Sequence, residues 1–208
     1  MLHRDKEGPE VKLPPPRERG EMSLEETIAR RRSVREYKGE PLSLFQLSQV
    51  LWAAQGLTDA RGLRASPSAG ATYPLEVFIL TGTDSIEGLE PGIYHYTVTK
   101  HSLNLYKEGD HRGKLAVAAL DQDFISQAPV DIIICAIYER TSMYYGRRAE
   151  RYVHMDAGHA GENIQLQAVA LGLATVMVGA FDDERVSTVM DLVKEVKPLY
   201  IIPLGKPK

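Results

Sequence analysis

Three arginines and a serine stand together at the end of a short predicted helix. The segment reads Arg31-Arg32-Ser33-Val34-Arg35. Guanidinium groups neutralise a phosphate and hydrogen-bond its oxygens in a fork, and a hydroxyl adds another donor. The spacing therefore predicts a site for a phosphate monoester. Arginines at a helix end can also complement the helix dipole and face solvent, and the segment alone leaves that alternative open.

A turn of small residues lies between two prolines further along the chain, in Pro67-Ser68-Ala69-Gly70-Ala71-Thr72-Tyr73-Pro74. Small side chains let main-chain N–H and C=O groups approach the edge of a flat ring. Such turns are also common before strands, so a purely structural role stays open. A phosphate cluster together with a ring-lining turn favours a flavin.

A third segment, Leu171 to Asp183, changes from helix to strand and back to helix. The first helix ends at Gly172, and the predicted strand stops at Gly179-Ala180, just before a helix cap at Asp182. Main-chain N–H groups at such a strand end have no ladder partner. They are therefore candidates to bind a ring nitrogen.

The elements that must position these segments follow from caps and periodicity. Ser23 and Ser43 open helices that run to about Arg32 and to near Gly56. Further helices are predicted over 110–120, 150–172 and 182–193, and strands over 74–82, 92–96, 102–106, 130–138, 174–179 and 199–204. In the long helix, Gly158 and Gly161 would permit close contact with another helix. Without a strict βαβ rhythm, the pattern predicts an α+β sandwich with a mixed central sheet flanked by helices.

Composition limits the function classes. The 208 residues carry 25 Lys+Arg against 28 Asp+Glu, a formal charge of −3, so we expect no nucleic-acid partner. The single cysteine, Cys135, lies in an apolar run and is expected to be a buried, inert thiol. The sequence shows no signal or membrane segment, and a cytoplasmic protein with no membrane partner is expected. Residues 1–20 are charged and rich in proline, which predicts an extended arm before a single domain over 21–208.

Taken together, the chain closely resembles the nitroreductase-like family of FMN-dependent oxidoreductases, and within it the SagB-type dehydrogenase branch. The resemblance covers almost the whole chain. The matching segments are Leu13-Pro14-Pro15-Pro16, Arg30–Tyr37, Pro41-Leu42-Ser43, Leu51–Gly56, Pro67–Ala71, Gly92–Tyr96, Ala157-Gly158-His159 and Gly179–Asp183.

The resemblance implies a homodimer with two FMN molecules at the subunit interface. Arg31, Ser33 and Arg35, with Arg32 as a further candidate, would hold the phosphate, the ribityl chain and the N1/O2 edge. The other implied contacts to the flavin are Pro67, Ser68, Ala69 and Gly70 of the other subunit, the amide of Gln122, the strand end at Val178, Gly179 and Ala180 with an N–H facing N5, and Lys206 near the phosphate.

The resemblance leaves the reaction open between two activities. Branch members that oxidise azolines in peptides carry a lysine followed by a tyrosine where this chain has Tyr144-Tyr145. The candidate catalytic residues here are therefore Tyr145 and Tyr144, and a phenol is a poor base at neutral pH. We expect NAD(P)H-dependent reduction of quinones or nitroaromatics. The alternatives are azoline-to-azole oxidation of a peptide substrate, or a flavin-binding subunit with little activity of its own.

Overall fold

The computed structural model describes residues 8–208, which form seven strands and seven α-helices. The strands are β1 (Glu10–Lys12), β2 (Leu75–Thr81), β3 (Gly92–Thr97), β4 (Ser102–Glu108), β5 (Val130–Ile137), β6 (Ala174–Thr175) and β7 (Val196–Gly205). The helices are α1 (Leu24–Arg30), α2 (Leu44–Gln55), α3 (Arg112–Ala118), α4 (Asp123–Gln127), α5 (Glu139–Tyr145), α6 (Ala149–Ala170) and α7 (Asp183–Met190). Short 3-10 turns cover Ala69–Ala71 and Gly146–Arg148.

One sheet runs through the molecule in the order β1-β4-β3-β2-β5-β7-β6. Each neighbouring pair of strands in it is antiparallel. Within residues 8–208, parallel pairing is confined to isolated bridges, Ser33 with Thr175 and Leu42 with Ile86. The predicted α+β class is confirmed.

Helices cover both faces of the sheet, so alternate residues of the central strands enter different cores. Val77 and Ile79 of β2 pack on the side of α2 and α6, whereas Phe78 and Leu80 pack on the side of α3 and α7. Cys135 is fully buried in the second core, and burial raises the pKa of its thiol well above the ordinary value. The expected buried thiol is confirmed.

The two predicted serine caps are present. Ser43 forms a complete capping box with Gln46, and the Ser23 side chain accepts a hydrogen bond from the N–H of Glu26. Helix α1 ends at Arg30, earlier than predicted, because Arg31 is already extended with φ −54° and ψ 127°. This extended backbone carries the arginine segment away from the helix.

Helix α6 is buried on more than one side. Its apolar stripe lies in the first core, and the polar side chains of Asp156 and Gln165 are buried as well. A Cβ on Gly161 would clash with the Cε of Met177, so this glycine serves contact inside the subunit. Gly158 has no neighbour near a built Cβ and lies on the more open face.

The predicted strand over 174–179 is wrong in length. Regular pairing stops at Thr175, and Val178 forms only an isolated bridge with Ile201 of β7. Thr175 pairs with Leu204 of β7 on one side and with the arginine segment on the other, where its carbonyl accepts from the N–H of Val34. Helices α4 and α5 were not predicted, because α4 has only 5 residues and α5 only 7, too short for a clear period.

The described part of the N-terminal arm lies against its own subunit. Strand β1 pairs with β4, the carbonyl of Pro14 accepts from the hydroxyl of Ser48, and Gln49 bonds both the N–H and the C=O of Arg17. The part of the predicted arm before Gly8 lies outside the described residues. Within residues 8–208, no helix combines the length and apolar character needed to cross a bilayer.

Candidate functional site

The arginine segment contacts α6 through Arg31, β6 through Ser33 and α4 through Arg35. The Arg31 Nη1 lies 3.4 Å from Oε1 of Gln165, and its Nε lies 4.0 Å from a carboxylate oxygen of Glu162. The Arg35 guanidinium lies over the ring of Phe124, 5.6 Å from its centre. Arg31 is half-buried, and Ser33 and Arg35 are exposed. Both guanidinium groups therefore retain donors for an external anion.

Arg32 is placed differently from its neighbours. Its Nη1 donates to the carbonyl oxygens of Ala29 and Arg31, at 3.0 and 2.6 Å. These carbonyls belong to the end of α1, where helix C=O groups lack intrahelical partners. Arg32 thus has the other role that the sequence left open, because it complements the C-terminal end of a helix.

The strand end at Val178–Ala180 offers free main-chain donors. Val178 is not one of them, because its N–H and C=O both pair with Ile201, at 2.9 and 3.0 Å. Gly179 and Ala180 are exposed, and within residues 8–208 their N–H groups have no protein acceptor. A Cβ on Gly179 would meet only the ring of Tyr200, at 3.7 Å, so the space beside these donors is open.

Gln122 is fixed beside that strand end. Its amide nitrogen donates to the carbonyls of Ala119 and Ala180, at 2.7 and 2.8 Å. The preceding residues, Leu120 and Asp121, both have positive φ, 62° and 59°. Left-handed backbone at non-glycine residues is unfavourable and often occurs at functional sites. The structure thus brings Gln122 and Ala180 together.

Lys206 lies near the chain that follows the arginine segment. Its Nζ is 2.9 Å from a carboxylate oxygen of Glu40, and its carbonyl accepts from the N–H of Lys38. The hydrogen bond and charge of Lys206 lower the pKa of Glu40. Its charge is therefore already paired within the chain.

The turn between the prolines has an unusual backbone. Gly70, Ala71 and Tyr73 all have positive φ, of 59°, 51° and 45°. The hydroxyl of Ser68 accepts from the N–H of Tyr73, and the hydroxyl of Thr72 lies 2.9 Å from that of Thr141 in α5. These bonds hold the turn in one shape.

Asp156 of α6 hydrogen-bonds the backbone of the turn. Its Oδ1 accepts from the N–H of Ala69 at 3.4 Å, while its Oδ2 is buried without a hydrogen-bond partner in the described chain. Burial raises the pKa of this carboxyl, against the hydrogen bonds from Ser68 and Ala69 that lower it. The turn is thus anchored to α6 by a carboxyl that is costly to ionise.

The two candidate tyrosines have different surroundings. Tyr145 lies on the turn: a Cβ on Gly70 would come within 2.6 Å of its hydroxyl oxygen. Its ring also meets that of Tyr152 edge to face at 5.0 Å. Tyr144 is 75% exposed at the end of α5. Of the two candidate catalytic tyrosines, Tyr145 therefore packs against the turn, whereas Tyr144 faces outward.

A buried charged group beneath α5 was missed by sequence reasoning. Glu76 of β2 bonds His95 of β3 at 2.7 Å and Arg140 of α5 at 2.5 Å, and Arg140 also donates to the carbonyl of Tyr73. Burial alone would raise the pKa of Glu76, but the hydrogen bond and charge of His95, together with Arg140, lower it. A usable signal was present, since Glu76 and His95 interrupt otherwise apolar strands.

The two halves of the candidate site lie on different sides of α6. Gln165, beside Arg31, follows Asp156, beside the turn, by nine residues. An α-helix places such residues about 13 Å apart along the axis and about half a turn apart around it. In one chain, the arginine segment and the turn therefore face opposite sides of the helix.

The histidines of α6 do not form a metal centre. His154 bonds the hydroxyl of Tyr138 at 2.7 Å. Across residues 8–208, no three His, Cys, Asp or Glu side chains come together as metal ligands.

Comparison with known proteins agrees with the fold. The model of the nitroreductase family matches residues 28–206. The chain belongs to the nitroreductase family. The resemblance recognised in the sequence is thereby confirmed, and the family is one of oxidoreductases.

Three relatives show how far the similarity extends. A protein of Methanocaldococcus jannaschii assigned to the nitroreductases is 46% identical over 89% of this chain and 92% of its own length. The crystal structure of a Ralstonia eutropha protein with the same assignment superposes with a TM-score of 0.83 at 27% identity, covering 100% of this chain and 97% of the other. The microcin B17-processing protein McbC of Escherichia coli is 25% identical, covering 77% of this chain and 61% of McbC.

Proposed function

We propose that this nitroreductase-family protein is an FMN-dependent oxidoreductase whose two flavin sites lie at a homodimer interface. The observation that carries the proposal is the separation of two prepared half-sites by α6. One side has the arginine segment, which contacts Gln165 of α6. The strand end with the free N–H groups of Gly179 and Ala180 is connected to this segment through α4, because Arg35 lies over Phe124 and Gln122 bonds Ala180. The other side has the strained turn around Gly70. A second copy of the chain can bring the two halves together.

The residues present fit FMN. Arg31, Ser33 and Arg35 would hold the terminal phosphate and the neighbouring polar chain by charge-assisted hydrogen bonds. The free N–H groups beside Gly179 would bind the ring edge, where the glycine leaves open space. When bound, FMN would supply hydride chemistry at N5, and the protein supplies position and charge. Arg35 would contribute a positive charge near the N1/O2 edge.

Exposed apolar side chains support the homodimer. Leu24 and Ile28 of α1 are 61% and 56% exposed, and Met143 and Tyr144 of α5 and Met155 of α6 are exposed as well. Contiguous exposed apolar surface marks interaction sites in soluble proteins. Helices α1 and α5 both pack on α6, so the exposed side chains occur on adjoining elements.

The reaction that needs least from the protein is reduction of quinones or nitroaromatics by NAD(P)H. Hydride transfer to and from a flavin requires an accessible ring face, whereas removing a carbon-bound proton requires a positioned base. Tyr145 is packed on the turn, and Tyr144 has no hydrogen-bond partner in the described chain. The similarity to McbC favours azoline oxidation of a peptide as the second candidate.

The proposal is tested by reconstitution and turnover. The purified protein should bind FMN, not FAD, with one flavin per chain, and should oxidise NADH or NADPH with a quinone or a nitroaromatic acceptor. A parallel assay with a thiazoline peptide distinguishes the second candidate. A protein that cannot be reconstituted with FMN contradicts the proposal, and robust conversion of thiazoline to thiazole replaces the first activity by the second.

A further inference from the structure

Helix α5 holds the ring-lining turn at three points. Nη1 of Arg140 donates to the carbonyl of Tyr73 at 3.0 Å. The hydroxyl of Thr141 lies 2.9 Å from that of Thr72. Further along the helix, the ring of Tyr145 packs on the glycine of the turn. The position of α5 therefore determines where the turn lies.

The sheet places the start of α5 beside the turn. Strand β2 begins where the turn ends, and β5 ends just before α5. Leu75 of β2 pairs with Ala136 of β5, and the N–H of Ile137 donates to the carbonyl of Pro74 at 2.8 Å. This register brings the first residues of α5 within hydrogen-bond distance of the end of the turn.

Glu76 of β2 holds the Arg140 guanidinium from the sheet. Its Oε1 lies 2.5 Å from Nη2 of Arg140, and its Oε2 lies 2.7 Å from Nε2 of His95. Only 10% of the Glu76 side chain is exposed. A carboxylate this deeply buried is costly unless it is paired and hydrogen-bonded. Both oxygens of Glu76 are therefore engaged within the chain, and one of them orients Arg140.

A single planar group thus joins the sheet to the turn. Nη2 of Arg140 faces Glu76, and Nη1 faces the carbonyl of Tyr73. Because the donors of a guanidinium lie in one rigid plane, a carboxylate that fixes one nitrogen also fixes the direction of the other. The Arg140 side chain is 36% exposed. Without Glu76 it can turn toward solvent and release the Tyr73 carbonyl.

The turn depends on such support because its backbone is strained. Gly70, Ala71 and Tyr73 all have positive φ. Unfavourable backbone conformations persist where surrounding contacts determine them. The guanidinium of Arg64 adds a contact of this kind, since it lies over the ring of Tyr73 at 4.4 Å from the ring centre. Tyr73 is therefore held at its ring by Arg64 and at its carbonyl by Arg140.

We propose that Glu76 is a positioning residue of the flavin site, which acts through Arg140 to set the shape of the turn. This inference rests on the proposed FMN-dependent function, in which the turn meets the flavin ring. Both carboxylate oxygens of Glu76 are engaged inside the chain, so its effect reaches the flavin through Arg140 and the turn. Glu76 thereby prepares the turn before the cofactor binds.

The test separates positioning from stability. Glu76→Met removes the carboxylate, Arg140→Met removes the guanidinium, and the double variant replaces the pair by two apolar side chains. Breaking a buried pair is destabilising, whereas replacing both partners by apolar residues is often neutral or stabilising. We therefore expect the urea midpoint of the double variant to exceed that of Glu76→Met. The Tyr73 carbonyl, however, loses its donor in all three variants.

Hydrogen exchange in the flavin-free protein reports the shape of the turn. Four N–H groups of the turn have acceptors inside the subunit, those of Ala69, Ala71, Thr72 and Tyr73. They should exchange about 10-fold faster in all three variants, because the turn opens more often. In FMN titrations, Kd should rise about 3- to 30-fold. The double variant should bind FMN no worse than the single variants, because the same contact is lost in each.

Leu103→Ala is the matched control for lost stability. Leu103 of β4 is fully buried, and its truncation leaves a cavity in the core. The control should lower the urea midpoint and leave turn exchange and FMN binding unchanged. If turn exchange and FMN affinity follow the urea midpoint across all variants, Glu76 has a structural role alone and the inference is overturned. Arg140→Met keeps the test available if Glu76→Met does not fold, because the Arg140 side chain is partly exposed.

The exchange measurement keeps this inference distinguishable from the proposed function, because it needs no flavin. Faster exchange in the variants supports the positioning of the turn even if the unmodified protein binds no FMN, a result that contradicts the proposed function alone. If the unmodified protein binds FMN and Glu76→Met binds it equally well, the inference is overturned and the proposed function stands. Unchanged turn exchange in both single variants also overturns the inference.

Discussion

Replacement of Gly70 by alanine tests the packing of Tyr145 on the turn. The new Cβ would lie 2.6 Å from the Tyr145 hydroxyl oxygen, 3.2 Å from Cε2 and 3.3 Å from Cζ. The residue would also have to keep φ near +59°, which L residues rarely adopt. The left-handed backbone costs about 1–2 kcal/mol. Overpacking adds about 1–3 kcal/mol. We therefore expect Gly70→Ala to lower the free energy of unfolding by about 2–5 kcal/mol.

Two controls divide this value into its parts. Gly88 also has positive φ, 75°, but nothing lies within 4 Å of a built Cβ. Gly88→Ala should therefore lose only the stability that left-handed backbone costs an alanine. Tyr145→Phe removes the atom that would lie at 2.6 Å. The double variant Gly70→Ala/Tyr145→Phe should therefore recover most of the stability lost to overpacking. Its remaining loss of stability should be similar to that of Gly88→Ala.

Urea unfolding measures these differences in five proteins: the unmodified protein, the three single variants Gly70→Ala, Gly88→Ala and Tyr145→Phe, and the double variant. FMN titration of the same samples reports the effect on the cofactor site. Gly70→Ala should weaken FMN binding, whereas Gly88→Ala should not. If Gly70→Ala and Gly88→Ala lose the same stability, or if Tyr145→Phe gives no recovery, Tyr145 does not pack on the turn and the reasoning is refuted.

Three further predictions concern the phosphate, the dimer and the core. Arg31→Ala should weaken FMN retention by about 1.5–3 kcal/mol, the range for a hydrogen bond to a charged group, and a flavin titration that shows no change would contradict its role. Gly158→Trp, on the open face of α6, should reduce both dimer content in light scattering and FMN content, and a monomer that retains FMN tightly would argue against the shared site. Asp131 is fully buried with both carboxylate oxygens unpartnered in the described chain, and burial raises its pKa well above the ordinary value. Because the native state then holds the proton more tightly than the unfolded chain, stability should fall as pH rises above about 4, by up to 1.4 kcal/mol per unit, and Asp131→Asn should remove this slope in unfolding measured from pH 4 to 8.

Local rules predicted the elements that local chemistry decides. The Ser23 and Ser43 caps, the hairpin β3–β4 and the apolar run of β5 all follow from neighbours in sequence, and the structure has them. The third segment shows the limit of such rules. Its β-type composition suggested a strand to Gly179, but Thr175 pairs with the distant arginine segment, and that pairing was not readable from either segment alone.

The candidate site was predicted in part for the same reason. Small residues and arginines at fixed spacing singled out the turn and the arginine segment as candidates, and their roles stay predictions. Which of the arginines are free depends on the fold: Arg32 closes α1, whereas Arg31 reaches α6. The support of the turn by Asp156 and the link from Glu76 to Arg140 join residues far apart in sequence, so periodicity carries no information about them.

The most direct test of the shared flavin site is FMN content in mixed dimers. One subunit carries Arg31→Ala/Arg35→Ala, the other carries Gly70→Leu, and two different affinity tags allow only mixed dimers to be isolated. If each site combines the arginine segment of one chain with the turn of the other, one site of the mixed dimer contains both defects and the second contains none. The account therefore predicts one tightly bound FMN per mixed dimer, whereas either variant alone binds FMN poorly. A mixed dimer without FMN would contradict the account, because it would mean that each chain builds its site from its own two segments.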